Sequence, residues 1–280
     1  MAAVTTEGTR LSTLPPPSGR AGVVGTLRSE FTKIRSVRST YWTILALLVI
    51  SIGIGAAITG GIAAHWSQTS PADRATFDAT STSLAGLFFL GELVMVVLGT
   101  MTITSEYSTG AIRTSLTAMP RRGVFYLAKA AVIGVVILVL AMIAAFAAFW
   151  LGQALLASTH HNATLSQPNV LRAVIGAALY VTLCGLLAYA IGTMIRHTAG
   201  AITIMVAVLF VIPILVNLLP DSWHADVVRW LPSSAGDAIT STVSGAHPHM
   251  FSAWGEFAVL GAYTVAFLIA GFLLFRRRDA

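Results

Sequence analysis

A single carboxylate lies deep inside an apolar run of the sequence. Glu92 is the only charged residue of the run 83–104. A charge in an apolar span is costly, so it normally faces protein or water and takes part in function. Glu92 is therefore a candidate for holding a cationic substrate or for lining a transport pathway. The structural alternatives are that Glu92 is protonated, or that it accepts a hydrogen bond from a Ser, Thr or Asn of a neighbouring helix.

A polar and basic segment, residues 105–129, separates this run from the next one. Thr104 and Ser105 are typical N-cap residues. Glu106 then places a carboxylate in the predicted first helical turn, where free N–H groups and the helix dipole favour a negative charge. Pro120 is expected to end the helix. The segment thus predicts a short helix joined to two apolar runs.

Motifs of enzymatic catalysis do not occur in the chain. Its two lysines, Lys33 and Lys129, do not follow the glycine-rich run of a phosphate-binding loop. Nucleophile-elbow and zinc-protease patterns are missing too. The histidines lack the helical spacing with a carboxylate that marks a metal site. We therefore expect no catalytic residue, metal or cofactor in this chain, and expect that it is not an enzyme.

The composition places these residues in a membrane protein. Apolar residues make up 56% of the 280 and charged residues only 10%, whereas soluble domains carry about a quarter charged residues. Six apolar stretches approach the roughly 20 residues that cross a bilayer core. We predict an all-α membrane bundle whose spans lie at about residues 41–64, 83–104, 124–157, 171–195, 200–219 and 256–275.

The distribution of cations predicts the orientation of the chain. Of the 17 Lys and Arg residues, all but Arg74, Arg172 and Arg229 fall on the side of the N-terminus when the six spans alternate. Because cations concentrate in cytoplasmic loops, both termini are predicted to be cytoplasmic in a multi-pass protein of the cell membrane. The same distribution accounts for the pI of about 10.0. We predict contacts with membrane lipid and no nucleic-acid partner.

The N-terminal region divides into a tail and an amphipathic helix. Residues 1–22 contain almost no large apolar side chain and are predicted to be a disordered cytoplasmic tail. The transmembrane domain follows at 23–280. From 24 to 41, apolar residues recur every three or four positions among cations, which is typical of an interfacial helix. Glu30 falls near the apolar stripe and either contacts a partner subunit or pairs with a nearby Arg or Lys.

The segment between the last two spans is the longest polar connection. Residues 220–255 contain Trp223 and Trp230 among polar residues, followed by a region rich in Ser and Gly. Tryptophan is favoured at membrane interfaces. This pattern predicts short re-entrant or interfacial helices at the outer surface.

The polar segment 105–129 resembles the first cytoplasmic loop of ABC-2-type permeases. The similarity lies in the order Glu106, Gly110, Ala111-Ile112, Leu116, Pro120, Arg121 or Arg122, and Lys129, with Ala111 and Ala128 where the family has Thr and Gly. In that family the loop forms a coupling helix that sits in a groove of the ATPase subunit. The resemblance implies that coupling residues are Ser105, Glu106, Gly110, Ile112, Arg113, Leu116, Arg121, Arg122 and, in the N-terminal helix, Glu30.

The resemblance covers residues 24–278 and implies the membrane subunit of an ABC exporter, of prokaryotic and specifically bacterial origin. The substrate is expected to be hydrophobic or amphipathic, such as a drug, peptide or lipid. ATP and Mg²⁺ are expected in a separate ATPase subunit. Because six spans are half of the family's usual twelve, a second permease subunit, identical or related, is expected to complete the pathway.

Two other functions remain open at the level of the sequence. In an ion-coupled secondary transporter, Glu92 would be the proton-coupling site. In a non-transporting membrane scaffold, the basic loop would recruit a partner without any cavity. A neighbouring gene for an ATPase would favour the exporter, whereas proton-driven transport by the chain alone would favour the secondary transporter.

Overall fold

The computed structural model describes residues 22–36, 38–119, 121–243 and 251–277. All regular structure in these ranges is helical. The predicted tail therefore lies, apart from Gly22, outside the described residues. The helices are α1 (Val23–Ser36), α2 (Arg38–Ala64), α3 (Pro71–Ala75), α4 (Ala79–Gly86), α5 (Glu92–Ser108), α6 (Ala111–Ala118), α7 (Arg122–Leu156), α8 (Val170–Ile195), α9 (Thr198–Val206), α10 (Ile212–Val216), α11 (Asp221–Val228), α12 (Pro232–Thr240) and α13 (Ala253–Arg277).

Six stretches within the described residues are long and apolar enough to cross a membrane, which confirms the predicted number of spans. Two of them contain a π-helical turn: Leu87–Gly91 joins α4 to α5, and Ala207–Val211 joins α9 to α10. The spans are Thr40–Ala64, Ala79–Ser108, Arg122–Thr159, Val170–Ile195, Thr198–Val216 and Ala253–Arg277.

The second span begins, and the fifth span ends, at a different residue from the one predicted. The second begins at Ala79 rather than at residue 83, because Asp78 caps it by accepting hydrogen bonds of 3.0 Å from the N–H groups of Thr80 and Ser81. The fifth ends at Val216 rather than at residue 219. Inside this span, the π-helical turn Ala207–Val211 comes just before Pro213. The proline nitrogen carries no N–H and so cannot donate the hydrogen bond of a regular helix.

The fourth span forms the centre of the bundle. Most of its residues are buried, whereas the first, fifth and sixth spans leave most of theirs uncovered. Close packing against the second span depends on glycine: a Cβ atom on Gly99 would lie 2.2 Å from the carbonyl oxygen of Gly185. Small residues at such crossings let two helix backbones approach each other.

The polar segment 105–129 folds differently from the prediction. No helix starts at Thr104 or Ser105, because α5 continues to Ser108 and both hydroxyls donate to carbonyls one turn back. The break comes at Gly110, whose φ of 70° lies in the left-handed region that glycine adopts without strain. The short helix α6 therefore begins at Ala111 and packs against α5.

The opposite end of the bundle carries the short helices α11 and α12. Glu256, fully buried at the start of α13, accepts hydrogen bonds from the Ser234 hydroxyl at 2.8 Å and the Phe251 N–H at 2.9 Å. Beyond α12, the Asp78 carboxylate accepts from the N–H of Thr242. These contacts fix α12 to the start of the last span and to the start of the second span.

Candidate functional site

Four charged side chains, three of them buried, form a cluster at the end of the bundle that carries α1 and α6. We call Glu30, Lys33, Glu106 and Lys129 the ion cluster. The Lys33 ammonium donates to Glu30 at 2.8 Å and to Glu106 at 2.9 Å. The Lys129 ammonium donates to Glu106 at 2.8 Å and also pairs with Glu30. Each lysine thus bridges both glutamates.

The ion cluster joins three helices that are distant in sequence. Glu30 and Lys33 lie three residues apart on one face of α1. Glu106 is in the last turns of α5, and Lys129 lies two turns into α7. Because every pair except Glu30–Lys33 crosses between helices, the cluster fixes α1, α5 and α7 to one another.

Burial makes this pairing obligatory. Lys129 and Glu30 are 2% and 3% exposed, and an isolated charge at such depth would carry a large desolvation penalty. Two carboxylates and two ammonium groups cancel in charge. The Phe125 ring contributes as well, with its centroid 5.6 Å from the Lys33 ammonium and 5.2 Å from that of Lys129.

Lys33 is the more exposed of the two lysines, with 44% of its side chain accessible. Burial acts to lower its pKa, but the hydrogen bonds and charges of Glu30 and Glu106 outweigh that effect, so the pKa is raised above its ordinary value. Lys33 therefore remains an ammonium at neutral pH and can hold both carboxylates.

Helix α6 is attached to the ion cluster and to the apolar core. Lys33 also donates to the Ser115 hydroxyl at 3.2 Å. On the same helix Ile112 is buried, and Leu116 packs against the core. A displacement of α6 would therefore act directly on α1 through Lys33, and through the ion cluster on α5 and α7.

The structure separates the predicted coupling residues into two groups. Glu30, Glu106 and Ile112 are buried inside the chain, and Leu116 is half-buried. The exposed group contains Ser105, Gly110, Arg113 and Arg121, while Arg122 is partly exposed at the start of α7. Only the second group presents a surface that a partner protein can contact directly.

Sequence reasoning selected the two glutamates of the ion cluster as site residues but did not select their lysine partners. One signal was available: Lys33 and Lys129 are the only lysines of the chain, and Lys129 lies well inside an apolar helix. A charge at that position needs a counter-charge. What the sequence does not contain is the crossing of α1 over α7, which brings residues 30 and 129 together.

A cavity of about 1010 Å³ opens beside the ion cluster, between α1, α2, α5 and α6. Glu30, Lys33, Glu106 and Lys129 all line it, together with Phe125. Further along α5 the lining becomes apolar at Met101 and Leu98, and many of the remaining lining residues are Ser or Thr. The cavity therefore has a charged end and an apolar end.

Glu92 lies elsewhere, inside the core between the second and fourth spans. It is 3% exposed, and its carboxyl group neighbours Tyr180 and Cys184 of α8. Glu92 directly follows the π-helical turn of the second span and does not line the cavity beside the ion cluster. Glu92 is thus separate from the ion cluster and its cavity.

Comparison with known proteins identifies the family. No curated protein matches the sequence significantly. Residues 26–215, more than half of the chain, match the family described as ABC-2 family transporter protein. The matched region runs from α1 to the end of the fifth span, so it contains the ion cluster and α6 completely. The chain therefore belongs to the ABC-2 family of transporter proteins.

Proposed function

We propose that this protein is the permease subunit of an ATP-binding cassette exporter. A separate ATPase subunit would bind ATP and Mg²⁺ and drive the permease, and a second permease subunit would complete a pathway for a hydrophobic or amphipathic compound. Membership of the ABC-2 family and six candidate spans support the membrane-domain part of the proposal.

One observation carries the coupling part of the proposal: a short helix with an exposed cationic residue is tied to a buried ion cluster. Arg113 of α6 is exposed, whereas Ser115 of the same helix accepts a hydrogen bond from Lys33. An ATPase subunit docked on Arg113 and Arg121 would move α6. Because ion pairs in a low-dielectric site resist separation, that motion would be passed on to α1, α5 and α7 together.

The same geometry gives the predicted coupling residues different roles. Arg113 and Arg121 are proposed to bind the ATPase subunit, since they are exposed. Glu30 and Glu106 are proposed to transmit its motion, since they hold the helices together. Substitution in the first group should weaken the complex, and substitution in the second should preserve the complex but lower the stimulated ATP hydrolysis.

The proposed orientation places the ion cluster on the cytoplasmic side. The described residues Arg28, Lys33, Arg35, Arg113, Arg121 and Lys129 gather at that end, while Arg74 and Arg229 lie at the other. The positive-inside rule then makes α1 an interfacial helix of the inner leaflet. The uncovered apolar faces of the first, fifth and sixth spans would contact lipid or the second permease subunit.

Co-purification with the ATPase subunit tests this function. The tagged permease and the ATPase encoded next to it are expressed together and assayed for complex formation and ATP hydrolysis. Arg113→Ala should loosen the complex, and Glu106→Ala should lower stimulated hydrolysis. Arg229→Ala, which removes a half-buried cation paired with Asp226 at the opposite end, is the control and should bind the ATPase subunit like the parent.

Two results contradict the proposal. In the first, no ATPase subunit co-purifies. In the second, a complex forms but Arg113→Ala and Glu106→Ala both match the parent and the Arg229→Ala control. Proton-driven transport by purified permease in vesicles without ATP would point instead to an ion-coupled transporter, and Glu92→Gln would be the variant to examine.

A further inference from the structure

The face of α1 that points away from the bundle carries two arginines among apolar side chains. Val24, Arg28, Phe31 and Arg35 follow one another at intervals of four, three and four residues, so they lie along one side of the helix. All four are exposed, with 77% of Val24 and 52% of Phe31 accessible. We call these four residues the outer stripe. The outer stripe is open to a ligand or partner from outside the chain.

The ion cluster fixes the direction in which the outer stripe points. Glu30 and Lys33 lie on the opposite side of α1 and pair with the members of the cluster on α5 and α7. Glu30 is the only acidic residue from 22 to 36, and this pairing occupies it. Neither Arg28 nor Arg35 forms an ion pair with a residue that the structure describes. The outer stripe therefore presents two guanidinium groups without a counter-charge.

The beginning of the first span places the end of α1 at the level of a membrane interface. The Tyr41 hydroxyl donates to the carbonyl oxygen of Arg35 at 2.9 Å. Trp42 is 71% exposed, and Leu45 and Val49 continue the exposed apolar surface along α2. Tyrosine and tryptophan are favoured where a membrane span meets the head groups. Arg35 therefore lies where the uncovered face of the first span begins.

The residue types of the outer stripe match an anionic lipid better than an acidic protein surface. A guanidinium group donates two parallel hydrogen bonds to a phosphate group. Each cation near an anionic membrane surface increases association about fivefold. The apolar side chains Val24 and Phe31 need an apolar environment as well, and the boundary between head groups and acyl chains supplies both on one helix face.

We propose that the outer stripe of α1 binds anionic phospholipid, such as phosphatidylglycerol, in the inner leaflet. Arg28 and Arg35 contact the phosphate groups, and Val24 and Phe31 lie among the upper parts of the acyl chains. The assignment to the inner leaflet rests on the proposed function, whereas the lipid contact itself stands on the permease alone. Anionic lipid and the ion cluster then hold opposite sides of the same helix.

Fluorescence quenching by spin-labelled lipid tests the proposal on the purified permease in phosphatidylcholine vesicles. A bimane label is attached to Thr32→Cys, because Thr32 is exposed beside the outer stripe and its hydroxyl donates to a carbonyl oxygen of its own helix. Cys184 is buried and stays unlabelled in the folded chain. The quenchers are phosphatidylglycerol and phosphatidylcholine that carry a doxyl group at the same acyl position. No ATPase subunit is present, so a failed ATPase complex and a failed lipid site give separate results.

Phosphatidylglycerol should associate with the labelled site at least about fivefold more strongly than phosphatidylcholine. High salt should reduce this preference, because it screens exposed charges. Arg28→Gln combined with Arg35→Gln should remove the preference. The matched control is Arg276→Gln combined with Arg277→Gln, which removes two exposed cations from the last span at the same end of the bundle and should keep the preference of the parent.

Three results would overturn the proposal. The first is equal quenching by the two lipids in the parent. The second is a preference for phosphatidylglycerol that survives in the Arg28 and Arg35 double variant, or that is lost equally in the control, since general surface charge would then attract the lipid. The third is no quenching by either lipid, which would place the outer stripe in water and favour a protein partner on this face.

Discussion

Removal of Lys129 is the perturbation that tests the ion cluster most directly. Lys129→Met keeps the length of the side chain but leaves Glu30 and Glu106 facing a single ammonium group. Breaking a buried ion pair by deleting one partner costs about 3–5 kcal/mol. Lys33→Met removes a cation of equal charge from the same cluster, but its side chain is 44% exposed. Solvent screening reduces the expected cost there to about 1 kcal/mol or less.

The chain provides its own probe for this measurement. Cys184 is the only cysteine and is fully buried in the central span. A maleimide fluorophore therefore reacts only when the bundle opens, and its signal during heating reports unfolding. With about 2–4 °C per kcal/mol for chains of this size, Lys129→Met should lower the midpoint by about 10 °C. Lys33→Met should lower it by only a few degrees.

A double variant separates lost charge balance from lost packing. Lys129→Met combined with Glu30→Gln leaves one ammonium and one carboxylate, so no net charge stays buried in the cluster. This variant should recover at least half of the stability lost in Lys129→Met. No recovery of the midpoint in the double variant would refute the claim that buried charge pairing holds α1, α5 and α7 together.

Three further predictions concern the glycine contacts and the titration of the ion cluster. Gly99→Ala should lower the free energy of unfolding by about 1–3 kcal/mol, and with it the unfolding midpoint, because the new Cβ would lie 2.2 Å from the Gly185 carbonyl oxygen. Gly53→Ala is the control: its Cβ would meet nothing within 4 Å, so the midpoint should not change. Gly110→Ala should lower the free energy of unfolding by about 1–2 kcal/mol through its left-handed φ. It should also weaken the complex with the proposed ATPase subunit, measured by co-purification, and an unchanged complex would argue against a role for this turn. The raised pKa of Lys33 means that its contribution to stability is complete below the unfolded value of 10.5 and is lost as pH rises through the higher folded value. Melting curves from pH 9 to 11.5 should therefore show a decline above pH 10.5 that is smaller in Lys33→Met.

The sequence alone determined the membrane class and the number of spans. Apolar runs of about 20 residues can satisfy their backbone in lipid only as helices, so the six spans were predictable without tertiary information and are confirmed. The prediction from local residue types was wrong at one place. Thr104 and Ser105 have the residue types of an N-cap, yet they lie inside α5, because the preceding apolar helix continues until Gly110 permits a left-handed turn.

Only the tertiary structure decided which charges share a site. Glu30 and Lys129 are 99 residues apart, and no spacing rule relates them, because their contact depends on how α1 crosses α7. The same applies to Glu92, whose burial against Tyr180 and Cys184 follows from the packing of the second span on the fourth. Hydropathy fixes which segments leave water, whereas the side-chain packing between helices fixes which of their few charges meet.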